Sequence, residues 1–503
     1  MSSNNVNEID ANLPWSSSTS IERSEGSLKL PFVRPLESER KFKSHIIEQK
    51  INEIKNKMHD KDLARIFENC FPNTLDTTIG WMDHSEKRPR TFIVTGDIPA
   101  MWLRDSTNQV FPYLRFAKND PKLKKMLLGV IYMQADCILQ HPYANAFHPP
   151  PGSIPRSDNP WSRVDSTIPE TSTNIWEAKW EVDSLAAFLK ISYNYWLYTD
   201  EKPYINDANW INAVNTVLGT IEVQRKGTLE EFKRPAYTFT RETRTSTETL
   251  MLDGRGAPVR RTGLVKSQFR PSDDASVFPF FIPGNAMLSV ELAHLYELLI
   301  DTEHHMLAKK AALISQEIRE AILTHGIVSH YHFGRILAYE IDGYGSMHLM
   351  DDANIPSLLS LPYIEFIPKE HELYKRTRNF VLSDYNKFFF ACDKPKENVG
   401  PVEGVGGPHI GLGFIWPMSL CVKIITATDD KEILDTLEQL KKTTADTGLM
   451  HESFWWEKPS IYTRSWFAWA NSLFGEMILR LAEEKPHLIF SEIKIEKKLI
   501  AAI

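Results

Sequence analysis

Cysteine is scarce: four occur in 503 residues, Cys70, Cys137, Cys392 and Cys421, far apart and in neither a CxxC pair nor a Cys/His ligand spacing. That argues against a disulfide framework and against a zinc site. The four read as buried, reduced thiols. The sequence has no N-x-[ST] acceptor, no apolar run approaching the length of a membrane span, and no apolar signal region in its opening MSSNNVNEIDANLPWSSSTS. The expected address is therefore cytoplasmic, with no membrane partner. Positive charge is not in excess either: the formal net charge is −7, so no field recruits nucleic acid. The G-x-S-x-G elbow of an ordinary serine hydrolase is missing. His330, His332, His348, Asp351 and Asp352 match no metal-ligand pattern, so neither metal nor other cofactor is expected. The run EGVGGPHIGLG (403–413) lacks the spacing and the preceding strand of a phosphate cradle and reads as a flexible pocket-lining loop.

What is present suffices for a large core, since 42% of the residues are hydrophobic. Residues 1–36 are rich in Ser, Asn and Pro and read as a mobile arm, residues 37–490 as a single domain, and 491–503 as a tail. Apolar spacings of three and four, as at Ile47, Ile51, Ile54 and Met58, recur along the domain. They predict about a dozen helices, at 39–58, 105–118, 121–140, 181–199, 207–224, 285–302, 305–323, 353–361, 370–384, 412–428, 430–444 and 465–484. Strand-like runs are few, at 235–250, 258–266 and 327–341. Helices in such number, joined by aromatic and Pro-rich loops, suggest a closed ring of paired helices with a pocket built by the loops at one end. Nothing in the pattern specifies an oligomeric state.

The connecting segments concentrate Trp, Tyr, Asp, Glu, Arg and His: TGDIPAMWLRDS (95–106), YANAF (143–147), WEAKWEVDS (176–184), FRPSDDA (269–275), MDDAN (350–354), HESF (451–454) and YTRSWFAWANS (462–472). A sugar offers apolar ring faces and radiating hydroxyls, so its pocket needs aromatic platforms beside carboxylates, amides and guanidinium groups. Glycosidic cleavage further needs two carboxyl groups, one protonating the leaving oxygen and one ionised. In FRPSDDA, Ser272 is placed to cap a following helix with two adjacent carboxylates at its start. In HESF, Glu452 sits beside Trp455 and Trp456, with His451 placed to hold it. Taken singly, an Asp-Asp pair is more often a cap or solvated turn, and an aromatic stretch is more often core. Their coincidence across seven segments favours a site. The basic residues Arg241, Arg244, Arg255, Arg260, Arg261 and Lys266 read as a solvated face of a hairpin-like insertion.

At GDIPAMWLRDS, FRPSDDA, MDDANIPSLL, GLMHESF and TRSWFAWANSLF the sequence resembles glycoside hydrolase family 125, in order, from about residue 60 to 480. The resemblance implies an all-α (α/α)6 toroid with small β-hairpin insertions, and a metal-independent inverting exo-α-1,6-mannosidase acting on mannose-containing oligosaccharides. Carried over by motif, the general acid falls on Asp273, with Asp274 as the alternative, and the general base on Glu452. The same resemblance makes Trp102, Arg104, Asp105 and Asn145 pocket contacts, with Arg270, His451 and Arg464 as neighbours. Two competing readings are an α-glucosidase of similar toroid fold and a catalytically silent mannoside-binding protein.

Overall fold

The computed structural model describes residues 13, 22–157, 159 and 165–490. Most of the expected arm, residues 1–12 and 14–21, and the expected tail 491–503 lie outside the described residues. Thirteen α-helices occur among those described, with small antiparallel sheets between them. Helix starts follow local chemistry: Asp120 accepts from the N–H groups of Lys122 and Leu123, both at 3.0 Å, and Pro121 occupies the first helical position of Pro121–Gln140.

Two kinds of helix pack in pairs. Leu103–Val110 lies against Val182–Thr199, and that helix against Ile282–Leu299. Pro417–Thr426 lies against Ala468–Glu484, which returns to Leu103–Val110. These helices are buried on almost every face, as their continuous apolar or small-residue runs require. Outside them stand amphipathic partners: Pro121–Gln140 with Ala208–Gln224, His305–His325 on Ile282–Leu299, and Asp430–Lys442 on Pro417–Thr426. Asp430–Lys442 buries Ile433, Thr436, Leu437 and Leu440 along a single stripe. No helix among the described residues is long and apolar enough to cross a membrane.

Several expectations need correction. The segment 353–361 is a series of turns, because side chains take the backbone donors a helix would use. Asp351 accepts from the N–H groups of Leu358 and Leu359 at 2.7 and 2.9 Å, and Ser357 and Ser360 each accept the other's N–H. A helix at Lys61–Cys70, capped by Asp60, was not foreseen. No strand forms at 258–266, and of 235–250 only Thr238–Arg241 is a strand. Residues 22–36 are no mobile arm: Leu30 and Val33 are buried, and Arg34 reaches Asp76 at 2.8 Å inside the domain. Cys392 is only half-buried, unlike the other three free thiols.

Candidate active site

One wall of the site grows from a three-stranded sheet, Met101–Trp102, Ala146–Phe147 and Ile175–Glu177, in which Trp102 pairs with Ala146 and Ala146 with Glu177. This register sets the MWLRDS, YANAF and WEAKWEVDS segments side by side. Trp102 ends its strand as the N-cap of Leu103–Val110, so Arg104 and Asp105 fall in that helix's first turn. Arg104 is buried and reaches four carboxyl groups: Glu181 at 2.6 Å, Asp105 at 3.1 Å, Asp183 at 3.3 Å and Asp273 at 3.6 Å. Lys179, also buried, meets Glu248 at 2.9 Å and Glu177 at 3.5 Å.

The Asp-Asp pair sits in a tight loop, not at a helix start. Asp273 N–H donates to Arg270 O at 2.9 Å, Arg270 N–H donates to Asp274 O at 2.8 Å, and Asp273 has a left-handed φ of 66°. Asp is one of the few side chains that tolerates that conformation. The loop sends the two carboxyls to different places. Asp273 accepts from Trp102 Nε1 at 3.3 Å and from Asn145 Nδ2 at 3.1 Å. Asp274 is fully buried, accepts from Ser272 Oγ at 3.3 Å and lies 3.4 Å from His409 Nδ1. The Ser272 hydroxyl thus serves Asp274 where a helix cap was expected.

A second wall is the sheet of Phe414–Ile415, Phe454–Trp455 and Lys458–Tyr462, with Phe454 paired to Tyr462. It brings Thr463 and Arg464 back to Glu452, whose carboxylate accepts from Thr463 Oγ1 at 2.8 Å and lies 3.4 Å from Arg464 Nε. Arg464 also binds Asp97 at 2.9 Å. His451 does not hold Glu452: its ring stacks on Tyr462 at 4.0 Å, and its nitrogens face the carbonyls of Arg464 and Thr444.

Between these two sheets lies a cavity. Of the residues named from sequence, Trp102, Arg104, Asp105, Asp273, Glu452 and Arg464 line it. Asn145, Arg270 and His451 stand behind the lining. Asn145 bridges Glu177, Glu181 and Asp273 through its amide nitrogen, and Arg270 binds Glu340 at 2.6 Å. Also lining the cavity, and not singled out individually from sequence, are Phe467 and Trp469 of YTRSWFAWANS, Asn354 of MDDAN, and Trp416 and His409. His409 comes from the glycine-rich run, read correctly as lining a pocket. Gly406 of that run serves close packing, since a Cβ there would come within 2.0 Å of Phe414 O. The expected solvated face of basic residues also fails at Arg241, which is buried against Asp165, Glu177 and Glu248.

Burial opposes ionisation of Asp273, but Arg104, Lys179, a hydrogen bond from Glu181 and His409 outweigh it and bring its pKa down to about 2. Burial pushes Glu181 well up, Asp273 and Asp183 add to this, and Arg104 opposes it. Burial favours a neutral His409 ring, yet the hydrogen bond and charge of Asp274, with Glu452 and Asp273, raise it to about 9. Burial lowers His451 to about 4. Glu248, Asp274 and His409 offer donor atoms within 4.8 Å of one another. Each is already engaged: Glu248 by Lys179 and Arg241, Asp274 and His409 by each other. The cluster is an ion-pair network.

A family model described as metal-independent alpha-mannosidase (GH125) matches residues 60–479. The meiotically up-regulated gene 157 protein of Schizosaccharomyces pombe is 46% identical over 492 residues, covering 95% of each chain. A solved Streptococcus pneumoniae structure, from work on metal-independent alpha mannosidases and holding alpha-1,6-mannobiose in a non-productive complex, matches with a TM-score of 0.79 at 33% identity. That match covers 88% of this chain and 100% of the other.

Proposed function

Because the chain belongs to glycoside hydrolase family 125, the metal-independent α-mannosidases, we propose that it removes terminal, non-reducing α-1,6-linked mannose from oligosaccharides with inversion at the anomeric carbon. The observation that carries this reading is that Asp273 and Glu452 come to a single cavity from separate segments, among Trp102, Trp416, Phe467 and Trp469. The tryptophans offer ring faces for a pyranose, and Arg104, Arg464 and Asn354 offer donors for its hydroxyls.

Asp273 protonates the glycosidic oxygen as its bond to C1 breaks. Glu452, fixed by Thr463, takes a proton from the water that attacks C1 from the other face. The chain's own charges do the remaining work: Arg104 anchors the acid side and Arg464 the base side. The α-1,6 preference is supported by the disaccharide in the Streptococcus pneumoniae relative. The contact chain of buried helices backed by amphipathic partners supports an (α/α)6 toroid, with the turns at 353–361 standing where one inner helix is reduced.

The test is proton NMR of the purified protein with α-1,6-mannobiose, α-1,2-mannobiose and trehalose. The expected result is hydrolysis of the α-1,6-linked sugar with β-mannose as the first product. First release of α-mannose refutes inversion, and cleavage of trehalose in place of the mannobioses moves the enzyme to α-glucosides.

A further inference from the structure

Arg104 is a single guanidinium shared by four carboxyl groups, Asp105, Glu181, Asp183 and Asp273. All four ionised would crowd four negative charges around one guanidinium that is only 3% exposed, with Lys179 and His409 adding positive charge at Asp273, a state that burial makes costly. At least one carboxyl in the group therefore keeps its proton. Glu181 is the best placed to do so. Its side chain is fully buried, it lies outside the cavity lining, and its charge state depends on that of Asp273 beside it. Asn145 Nδ2 ties the two together, at 3.2 Å from Glu181 Oε1 and 3.1 Å from Asp273 Oδ1.

We propose that the catalytic acid is a two-carboxyl device in which Glu181 stores the proton and Asp273 delivers it, so that Glu181 is a positioning residue for the reaction. The proposal rests on the preceding reading of Asp273 as the acid. The Glu181 proton moves to Asp273, and the Asp273 proton moves to the glycosidic oxygen, which keeps the electron pair of the broken C1–O bond. Water adds to C1 and gives its proton to Glu452. The cycle closes when Glu452 loses that proton to solvent and the Glu181–Asp273 pair regains one.

The charged groups facing Glu181 agree with this. Asp183 on its own helix and Asp273 on the facing loop disfavour its ionised form, Arg104 favours it, and burial decides the balance toward the acid. Glu177 joins through Asn145, Lys179 pulls on Asp273, and Asp105 on the neighbouring helix holds its own proton more firmly through burial and through Asp273. A buried carboxylic acid beside an ionised one thus provides a proton that Asp273, held at about 2, does not retain on its own near neutral pH.

The test compares α-1,6-mannobiose with α-mannosyl fluoride, whose fluoride departs without a proton. In Glu181→Gln, kcat on mannobiose should fall about 100-fold or more while kcat on the fluoride stays within about 5-fold of wild type. The basic limb of the mannobiose pH profile should also move to lower pH. Parallel losses on both substrates, or no loss on either, overturn the proposal. Where the glutamine variant does not fold, Glu181→Asp serves: a carboxyl withdrawn by one methylene should cost mannobiose turnover about 10-fold more than fluoride turnover, and equal losses again overturn it. A wild-type enzyme that leaves mannobiose untouched is a different failure, that of the mannosidase reading itself.

Discussion

Thr463 Oγ1 donates to Glu452 Oε2 at 2.8 Å at the open end of two paired strands, just beyond the Phe454–Tyr462 pair, and nothing else so short orients that carboxylate. Hydrogen bonds to charged groups contribute about 1.5–3 kcal/mol. Thr463→Val, which keeps the shape and removes the donor, should therefore lower kcat about 10-fold or more while leaving KM within about 3-fold. Steady-state kinetics on α-1,6-mannobiose read this directly. An unchanged kcat would mean that Arg464 alone, at 3.4 Å, aims the base.

The loop at 270–274 separates the two candidate acids. Asp273 faces the cavity, and Asp274 faces His409. Asp273→Asn and Glu452→Gln should each reduce turnover by about 10³-fold while mannoside binding persists, and Asp274→Asn should cost about 10-fold, through His409. Calorimetric titration with mannobiose beside the rate measurements separates binding from chemistry. A larger loss in Asp274→Asn than in Asp273→Asn would exchange their roles.

The sequence identified which segments meet at the site more reliably than which way their side chains point. The segments holding Trp102, Arg104, Asp105, Asp273, Glu452 and Arg464 are legible because chemistry-bearing residues gather in loops, and the individual residues because the resemblance to glycoside hydrolase family 125 carries them over by motif. His451 was misread because neighbours on extended backbone face opposite sides, so beside a cavity-facing Glu452 it turns toward Tyr462. Asn145 and Arg270 were found but set too far forward. Glu181 was inside a flagged segment, yet its contact with Arg104 closes across 77 residues, which no local pattern reveals. The helix expected at 353–361 failed because Asp351, Ser357 and Ser360 capture the local N–H groups.

Stability should be level between about pH 4 and 6.5 and fall above that range. Burial raises Asp351 to about 8, above the unfolded value of ~3.9, so its contribution is full below ~3.9 and is lost as pH rises through 8. His409, at about 9 against ~6.5 unfolded, contributes fully below ~6.5 and loses that as pH rises through 9. His451, lowered to about 4, acts in reverse: its contribution is present above ~6.5 and lost as pH falls through 4. Asp351 and His451 oppose each other below about 6.5, and Asp351 and His409 act together above it. Calorimetry should show Tm falling most steeply between about pH 6.5 and 8, with a shallower fall in Asp351→Asn. A Tm that is flat or rising over that interval contradicts the assignment.

Chelation should leave the enzyme unchanged. The donors of Glu248, Asp274 and His409 converge, but Lys179 and Arg241 occupy Glu248 while Asp274 and His409 pair together. Dialysis against a strong chelator should keep kcat/KM within about 2-fold, since no step of acid–base glycoside hydrolysis draws on an ion here. Loss of activity that added Ca²⁺ or Zn²⁺ restores would place a cation in the site.

The segment 22–36 should contribute to stability out of proportion to its length. Arg34 and Asp76 are 4% and 2% exposed and meet at 2.8 Å, with Glu48 completing the guanidinium's partners. Removing one member of a buried pair strands the other charge, at a cost of about 3–5 kcal/mol. Arg34→Ala should therefore lower the unfolding free energy, read from denaturant titration, by that amount. Replacing both members by apolar residues of similar volume, Arg34→Met with Asp76→Leu, should recover much of the loss, because no charge is then left unpaired. If the single substitution costs under about 1 kcal/mol, the segment is only laid on the surface and the domain begins where the sequence first placed it, near residue 37.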